Sequence, residues 1–327
     1  MTLDILIPTY NRAVYLKKNL EILCGIVSRI KNATINVIIS DNDSSDNTRD
    51  IVEAIICRSD INGIKYYRND TNIGIRDNLI HIVSLSQADY IMYLGDDDYI
   101  NYEYLSNAIS YLNKDKEIAC IFGSYEAISE KGDKLGYGRD LGLCTKIFEA
   151  GVENVKLNLQ RGSQIAGLIL KRVGLYEALK DKNISNLYPH LFMMGYNCLR
   201  GRAVHIPEWP LLITSTDKRD WDFDNTGLLV DIFENVKSLD LSDGERFVIE
   251  KGLIEQQPWR YLSFSRNGVR RFRRNLIKQM RIILKISFSK NTSKKGHFLF
   301  PFILTYIWCK HLIIDSLIKV RDKLKTK

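Results

Sequence analysis

Tyr90-Ile91-Met92-Tyr93-Leu94-Gly95-Asp96-Asp97-Asp98-Tyr99 begins as a short apolar run that reads as a buried strand. It stops at a glycine and delivers three carboxylates in a row. Adjacent like charges repel, so a turn that only had to be solvated would rarely carry three at a strand's end. The cluster becomes favourable under a hard divalent cation, because Mg2+-like ions take oxygen ligands. The plainer explanation is a polar turn, since Gly and Asp are ordinary turn residues. The stretches around it decide between the two.

Similar apolar runs stand at residues 3–7, 35–40, 64–67 and 118–123. Between them apolar residues fall at helical spacing: Tyr15, Leu16, Leu20, Leu23 and Val27, then Ile51, Val52 and Ile55. Leu79, Ile82, Val83 and Leu85 form a third set, and Leu105, Ala108, Ile109 and Leu112 a fourth. Strand, helix and strand repeating at roughly 30-residue spacing predict an α/β fold, a parallel sheet with helices on both faces.

The polar residues gather after the strands. They read Pro8-Thr9-Tyr10-Asn11-Arg12, Asp41-Asn42-Asp43-Ser44-Ser45-Asp46, Asn69-Asp70-Thr71-Asn72-Ile73-Gly74, and Gly95 to Asp98. In an open parallel sheet these loops share the carboxyl edge, where such sheets bind ligands. Each loop also has a plainer reading. Ser45 or Asp46 caps the following helix, Asn72-Ile73-Gly74 is a turn with a residue at positive φ, and Pro8 ends its strand. Four polar loops at one rim are less well explained that way.

Neither G-x-G-x-x-G nor G-x-x-x-x-G-K-[ST] follows the first strand, so the dinucleotide fingerprint and the triphosphate cradle are both missing. A bound diphosphate would depend on a cation at the Asp cluster and on Arg12 and Arg76. Asp41 and Asp96 could accept hydrogen bonds from a base N–H and from ribose hydroxyls. These residues point to a metal-dependent site for a nucleoside diphosphate.

Taken together, Ile7-Pro8-Thr9-Tyr10-Asn11-Arg12, Ser40 to Asp46, Asn72-Ile73-Gly74 and Leu94-Gly95-Asp96-Asp97-Asp98 resemble, in order and spacing, the family 2 glycosyltransferases of GT-A fold. Leu187-Tyr188-Pro189-His190-Leu191-Phe192-Met193-Met194 and Pro258-Trp259-Arg260-Tyr261 look like the bacterial O-antigen branch of abequosyltransferase type. The resemblance implies a Rossmann-like, mostly parallel sheet with flanking helices, followed by a helical C-terminal region. It implies a nucleotide-sugar donor, Mn2+ or Mg2+, and inversion at the anomeric carbon. Pro8, Tyr10 and Arg12 would line the nucleotide pocket, Asp41 would read the base, and Asp96 would hold the ribose. Asn72 and Arg76 join these donor residues on the same rim. Asp97 would be the principal metal ligand, and Asp98 would support the cluster or ligate indirectly, so that metal binding rests on Asp96 to Asp98. The departure is Gly95, where many relatives carry the first Asp of a D-x-D.

Many relatives take the acceptor proton with an Asp from a Glu-Asp pair before a helix, and that pair is missing here. His190 follows Pro189 at what looks like a helix start and has a suitable pKa class. It could equally be a partly buried histidine packing that helix. Asp217, Asp220 and Asp222 are the other candidate bases. The expected organisation is a donor half over residues 1–125, an acceptor half over 126–240, and a basic, amphipathic helical region over 241–327. Within the acceptor half, residues 164–170 and 203–206 read as strands and 191–199 as a helix. Trp209 reads as a core anchor, and Trp221 flanks the same polar loop.

At 327 residues and 45% hydrophobic, the chain can bury the core of one large or two small domains. Its mean hydropathy is negative, which argues against a polytopic membrane protein. No basic stretch followed by an apolar one opens the chain, so no secretory signal is expected. The cysteines Cys24, Cys57, Cys120, Cys144, Cys198 and Cys309 include no C-x-x-C pair and read as reduced core thiols of a cytoplasmic protein.

The net charge of +8 is unevenly divided: from Trp259 onward 18 Lys and Arg face 2 acidic residues, whereas residues 1–258 carry −8. Such a tail seeks an anionic surface. It opens with Arg266, Arg270, Arg271, Arg273 and Arg274, and continues with Leu276, Ile277, Met280, Ile283 and Leu284 at helical spacing. After Lys294 and Lys295 comes an aromatic-rich, uncharged run of 12 residues, 298–309. That is short of the ~20 residues needed to span a bilayer, and Pro301 suits a helix start. Basic amphipathic segments of this kind predict an interfacial helix. A soluble helical tail with solvated lysines is the plainer alternative. The charge comes with no recognised nucleic-acid module, so no nucleic-acid partner is expected.

The combined expectation is a cytoplasmic glycosyltransferase, peripheral on the inner face of the membrane, that adds a sugar to a lipid-linked oligosaccharide or polysaccharide. A sugar-nucleotide-forming nucleotidyltransferase shares the alternating sheet but needs the missing Gly-rich loop. A non-catalytic sugar- or lipid-binding relative would have no use for Asp96–Asp98.

Overall fold

Leu3, Ile5, Leu6 and Ile7 are all 0% exposed. Both faces of the strand they form, β1 (Thr2–Thr9), are therefore covered, as befits a central parallel strand. β1 pairs in parallel with β2 (Thr34–Asp41) on one side and β4 (Tyr90–Tyr93) on the other, and β2 pairs in parallel with β3 (Ile64–Arg68). The register sets Thr9 opposite Asp41 and Asp41 opposite Arg68, which levels the carboxyl ends of three strands. This computed structural model describes residues 1–58, 63–215, 227–258, 261 and 269–325. They belong to two compact units, Met1–Asp220 and Trp221–Lys327.

Helices α1 (Ala13–Val27), α2 (Thr48–Arg58), α3 (Ile75–Ser84) and α4 (Tyr102–Lys114) fill the crossovers where the periodicity places them. Leu3, Ile5 and Ile7 share one core with Leu16, Leu20 and Leu23 of α1, Val52 of α2, and Leu105 and Ile109 of α4. On the opposite face the Tyr93 hydroxyl donates to the Leu79 carbonyl of α3 at 2.6 Å. The chain then enters β5, which runs on past its expected end to Ile128 (Ile118–Ile128).

From here the sheet becomes mixed. The later elements are β6 (Lys134–Arg139), β7 (Lys146–Phe148), α5 (Val152–Asn158), β8 (Ile169–Lys171), α6 (Leu175–Lys182), α7 (Pro189–Arg200) and β9 (Arg202–Thr214). Among the described residues the strand order is β3-β2-β1-β4-β8-β5-β9-β7, with β6 on β5. β8 runs antiparallel between β4 and β5, whereas β9 is parallel to β5.

The strand expected over 164–170 shrinks to three residues. A 3-10 turn (Leu159–Ser163) precedes it, and Gly167 takes a φ of +75°, outside strand backbone. β9 instead outruns its expectation, because a register shift opposite Gly123 and Tyr125 absorbs Pro207 and Pro210. Its far end, Thr214, thereby reaches the acidic cluster. Trp209 packs partly buried against the main core. Trp221 lies outside the described residues.

All six cysteines are free, but only Cys120 and Cys198 are buried. Cys57, Cys144 and Cys309 are exposed, which corrects the expectation of core thiols. Cys57 and Cys309 face outward from their helices, and Cys144 lies in the loop between β6 and β7.

Among its described residues the second unit carries α8 (Gly227–Ser238), α9 (Asp243–Gln256), α10 (Val269–Ser287) and α11 (Lys294–Lys325). Ser242 and Glu245 form a capping box at the start of α9. The next carboxylate, Asp243, accepts from the backbone N–H groups of Lys294 and Lys295 at 2.7 and 3.0 Å. Together with the Ser293 hydroxyl, which accepts from the Gly296 N–H at 3.1 Å, that contact fixes where α11 begins. Pro301 therefore lies inside the helix rather than at its start, correcting the expectation. Phe300 is buried against Phe233 and Phe247, with ring centroids 6.0 and 5.4 Å away, and this packing offsets the hydrogen bond that Pro301 cannot make. α11 also extends well beyond the 12 uncharged residues. Its segment Lys294–Ile314 is long and apolar enough to cross a membrane, by length and composition only.

Candidate active site

The loops after β1, β2, β3 and β4 meet at one rim and are joined by side-chain amides and carboxylates. Asn11, at φ +53°, donates its backbone N–H to Ser44 Oγ, and its Oδ1 accepts from the N–H of Ser45 at 2.7 Å. Asp46 accepts from the N–H groups of Ala13 and Thr48 at 3.0 and 3.1 Å, so the helix-capping reading holds for it. Asn42 donates to Asn72 Oδ1 at 2.8 Å and accepts from Asn69 Nδ2 and the Ile73 N–H. Gly74 starts α3 at φ +82°, as the turn reading requires.

The three aspartates divide in two directions. Asp96 accepts from the Thr9 hydroxyl at 2.8 Å and from Arg12 Nε at 2.8 Å. Asp97 pairs with Nη2 of the same guanidinium. Asp98 turns inward, where it accepts from the N–H of Thr214 at 3.1 Å and from Gln164 Nε2 at 3.4 Å. Gly95 explains that turn: a Cβ there would lie 2.7 Å from Asp98 Oδ2. Asp98 thus folds into the space that a side chain at position 95 would need. Asn19 of α1, itself buried, ties the loop down by donating to the carbonyls of Gly95 and Asp98 at 3.0 and 2.5 Å.

Burial pushes the Asp96 carboxyl up to about 6, opposed by Arg12 and reinforced by Asp97. Burial likewise raises Asp97, again opposed by Arg12. Burial and then the neighbouring Asp97 charge raise Asp98 well above the usual carboxylate range. Asp97 is the most accessible of the three, its side chain 21% exposed against 9% for Asp96. Among the described residues no group of three or more His, Cys, Asp and Glu has the arrangement of a complete metal site. What the chain does hold is a pair of carboxylates converging on a single cationic group.

Pro8 is part-buried within β1 opposite Ser40, and Tyr10 is exposed at the rim. Asp41 is fully buried, accepting from the Ser44 N–H at 2.9 Å and from the Tyr66 hydroxyl at 2.5 Å. Arg76 forks onto Asp77 at 2.7 and 2.9 Å and donates to the Ser185 carbonyl at 3.1 Å, which brings the loop before α7 to the rim.

His190, in the first turn of α7, is buried with neither ring nitrogen hydrogen-bonded, and the Tyr188 ring stands edge-on at 5.9 Å. Burial lowers its pKa to about 4, so its ring is neutral at neutral pH. Asp217, Asp220 and Asp222 lie outside the described residues.

Sequence reading missed Thr9, Asn19, Tyr66, Gln164 and Thr214, the partners of the acids. One signal was available: Asn19 interrupts the buried stripe of Leu16, Leu20 and Leu23.

Residues 4–169 match the family model described as glycosyl transferase family 2. The chain is similar to abequosyltransferase RfbV of Salmonella typhimurium, 28% identical over 81% of this chain and 84% of that protein. It is also 30% identical, over 37% of each chain, to the GalNAc(5)-diNAcBac-PP-undecaprenol beta-1,3-glucosyltransferase of Campylobacter jejuni. Among solved structures, S. aureus TarS 1–349 in complex with UDP-GlcNAc superposes with a TM-score of 0.61 at 17% identity, over 88% of this chain and 82% of that one. That likeness shows the GT-A fold. With the matched segment running from β1 to β8 and carrying all four rim loops, the chain belongs to glycosyl transferase family 2 and is a glycosyltransferase.

Proposed function

We propose that this glycosyltransferase moves a sugar from a nucleoside-diphosphate donor to a lipid-linked or polysaccharide acceptor, with the help of a divalent cation and with inversion at the anomeric carbon. The observation that carries the reading is the convergence of Asp96 and Asp97 on one cationic group at the carboxyl rim of the sheet. Their hard oxygen ligands suit Mn2+ or Mg2+, and Asp97 is the carboxylate most open to it. The ion would stabilise charge on the departing diphosphate. The name of the Campylobacter jejuni relative supports an undecaprenol-linked acceptor, and that of the Salmonella typhimurium relative supports transfer of a deoxyhexosyl group. The UDP-GlcNAc in the TarS complex supports a nucleotide-sugar donor.

In this reading Asp96, held by Thr9, faces the ribose, and Pro8, Tyr10 and Asn72 border the nucleotide. A base that reaches Asp41 has to share it with Tyr66. Arg12 and Arg76 supply positive charge, and Arg76 already links the rim to the loop before α7. Asp98, held by Thr214 and Gln164, braces the loop that carries Asp97. His190 would take the acceptor proton only if acceptor binding opens its buried ring, because burial shields both nitrogens and lowers its pKa below the range expected of a base; Asp220 is the alternative base.

The tail adds a place of work. On α11 the exposed residues Phe298, Phe302, Tyr306, Ile313 and Leu317 fall on one helical face, while Phe300, Leu304 and Trp308 are buried. Ile277, Met280 and Leu284 of α10 are exposed in the same way, among exposed Lys278, Arg281 and Lys285. A helix with one face packed on protein and the other apolar, edged by lysines, lies in a membrane interface. We place the enzyme on the inner face of the cytoplasmic membrane, beside a lipid-linked acceptor.

Product analysis tests the chemistry. Purified enzyme, Mn2+, a panel of UDP-, GDP- and CDP-sugars and a lipid-linked acceptor should release a nucleoside diphosphate and yield an acceptor heavier by one sugar. Pyrophosphate released from a nucleoside triphosphate and a sugar phosphate would instead assign a nucleotidyltransferase.

A further inference from the structure

Arg12 occupies a position that donor binding alone does not require. Its Nε donates to Asp96 Oδ1 at 2.8 Å, and its Nη2 pairs with Asp97 Oδ2, so one planar fork spans two adjacent carboxylates. The guanidinium carbon lies 4.5 Å from the centre of the Tyr15 ring. The side chain is 37% exposed, so it has room to move. Burial works against its charge, but Asp96 and then Asp97 outweigh burial and hold the guanidinium firmly protonated.

A divalent cation on Asp97 would compete with Arg12 for the carboxylate whose Oδ2 the guanidinium holds. Two cations sharing one largely buried carboxylate pair repel strongly. A nucleoside diphosphate changes the balance, because its phosphate oxygens accept a guanidinium fork as well as a carboxylate does.

We propose that Arg12 is the resident counter-ion of Asp96 and Asp97, and that a divalent cation displaces it when a nucleoside diphosphate is present to receive the guanidinium. This rests on the donor and metal reading above. In the free enzyme Arg12 is a positioning residue that keeps the two carboxylates oriented. In the loaded enzyme it binds the leaving diphosphate. The cation and the nucleotide therefore bind synergistically, each raising the other's affinity by the same factor.

The test measures Mn2+ binding rather than turnover. Mn2+ is titrated into the full chain, with loss of the free-ion electron paramagnetic resonance signal as the readout, first without nucleotide and then with saturating UDP, GDP or CDP. Wild type should bind Mn2+ weakly alone and roughly tenfold more tightly with the nucleotide it accepts, a typical coupling factor. Arg12→Met keeps the apolar stem over Tyr15 and removes the charge. It should bind Mn2+ alone roughly tenfold more tightly than wild type and lose most of the synergy. Arg12→Lys, which keeps the charge but not the fork, should fall between them.

Equal Mn2+ affinity of wild type and Arg12→Met without nucleotide would overturn the exchange and leave the metal site standing. If Mn2+ bound neither protein even with nucleotide, the metal site itself would fall, and the proposal with it.

Discussion

Gly95 decides how the acidic cluster is arranged, because Asp98 Oδ2 stands only 2.7 Å from where its Cβ would lie. Gly95→Ala should force Asp98 away from Thr214 and Gln164, destabilising the fold by roughly 1–3 kcal/mol, as for overpacked core sites. Urea unfolding measures this, and an unchanged midpoint would show that Asp98 relaxes freely. His190 poses the complementary question. Burial keeps it neutral, with a pKa of about 4, and neither nitrogen is engaged. His190→Ala should lower turnover about 100-fold or more, the usual contribution of a general base, with donor affinity unchanged. Near wild-type turnover would move the base to the segment that holds Asp220.

At the scale of elements, the sheet from β1 to β4 was legible because β1, β2 and β4 are apolar on both faces and the helices between the strands repeat at their own period. The rim loops were legible for the same reason: once the sheet is parallel, its carboxyl ends must coincide. What the sequence hid depends on meetings between distant residues. Thr214 joins Asp98 across 116 positions and Gln164 joins it across 66, and no local pattern announces either contact. β9 was cut short in the reading because Pro207 and Pro210 usually end strands, whereas a register shift carries the pairing past them. Pro301 misled similarly: α11 starts earlier, where the Ser293 hydroxyl accepts from the Gly296 N–H at 3.1 Å and Asp243, 51 positions from Lys294, accepts from the Lys294 N–H.

The same junction holds Glu250, which accepts from the Ser293 N–H and hydroxyl at 3.1 and 2.6 Å. Burial pushes its pKa up to about 7 from an ordinary 4.5, opposed by Ser293 and Arg246. A carboxyl raised on folding contributes stability that is complete below about 4.5 and is lost as pH rises through about 7. Relative to Glu250→Gln, wild type should lose on the order of 2–3 kcal/mol between about pH 5 and pH 8. Parallel stability curves for the two proteins would contradict this.

At the scale of the whole molecule, charge is split along the chain, −8 over residues 1–258 and +16 from Trp259 onward. The tail's lysines edge an exposed apolar face on α11, so attraction to anionic headgroups and burial of aromatic rings act together. Phe298→Ser combined with Phe302→Ser should weaken co-sedimentation with vesicles of phosphatidylglycerol and phosphatidylethanolamine while leaving donor binding intact. Both side chains are exposed, so the fold does not depend on them. Equal sedimentation of variant and wild type would refute a lipid-facing α11.

The central claim is that the acids closing the β4 strand form the diphosphate end of a nucleotide-sugar site. Isothermal titration calorimetry with UDP, GDP and CDP, in the presence and absence of Mn2+, tests it most directly on wild type and Asp97→Asn. Wild type should bind one of these nucleotides with an affinity that rises on adding Mn2+, and Asp97→Asn should lose that rise. The same Mn2+-dependent gain in both proteins would contradict the account.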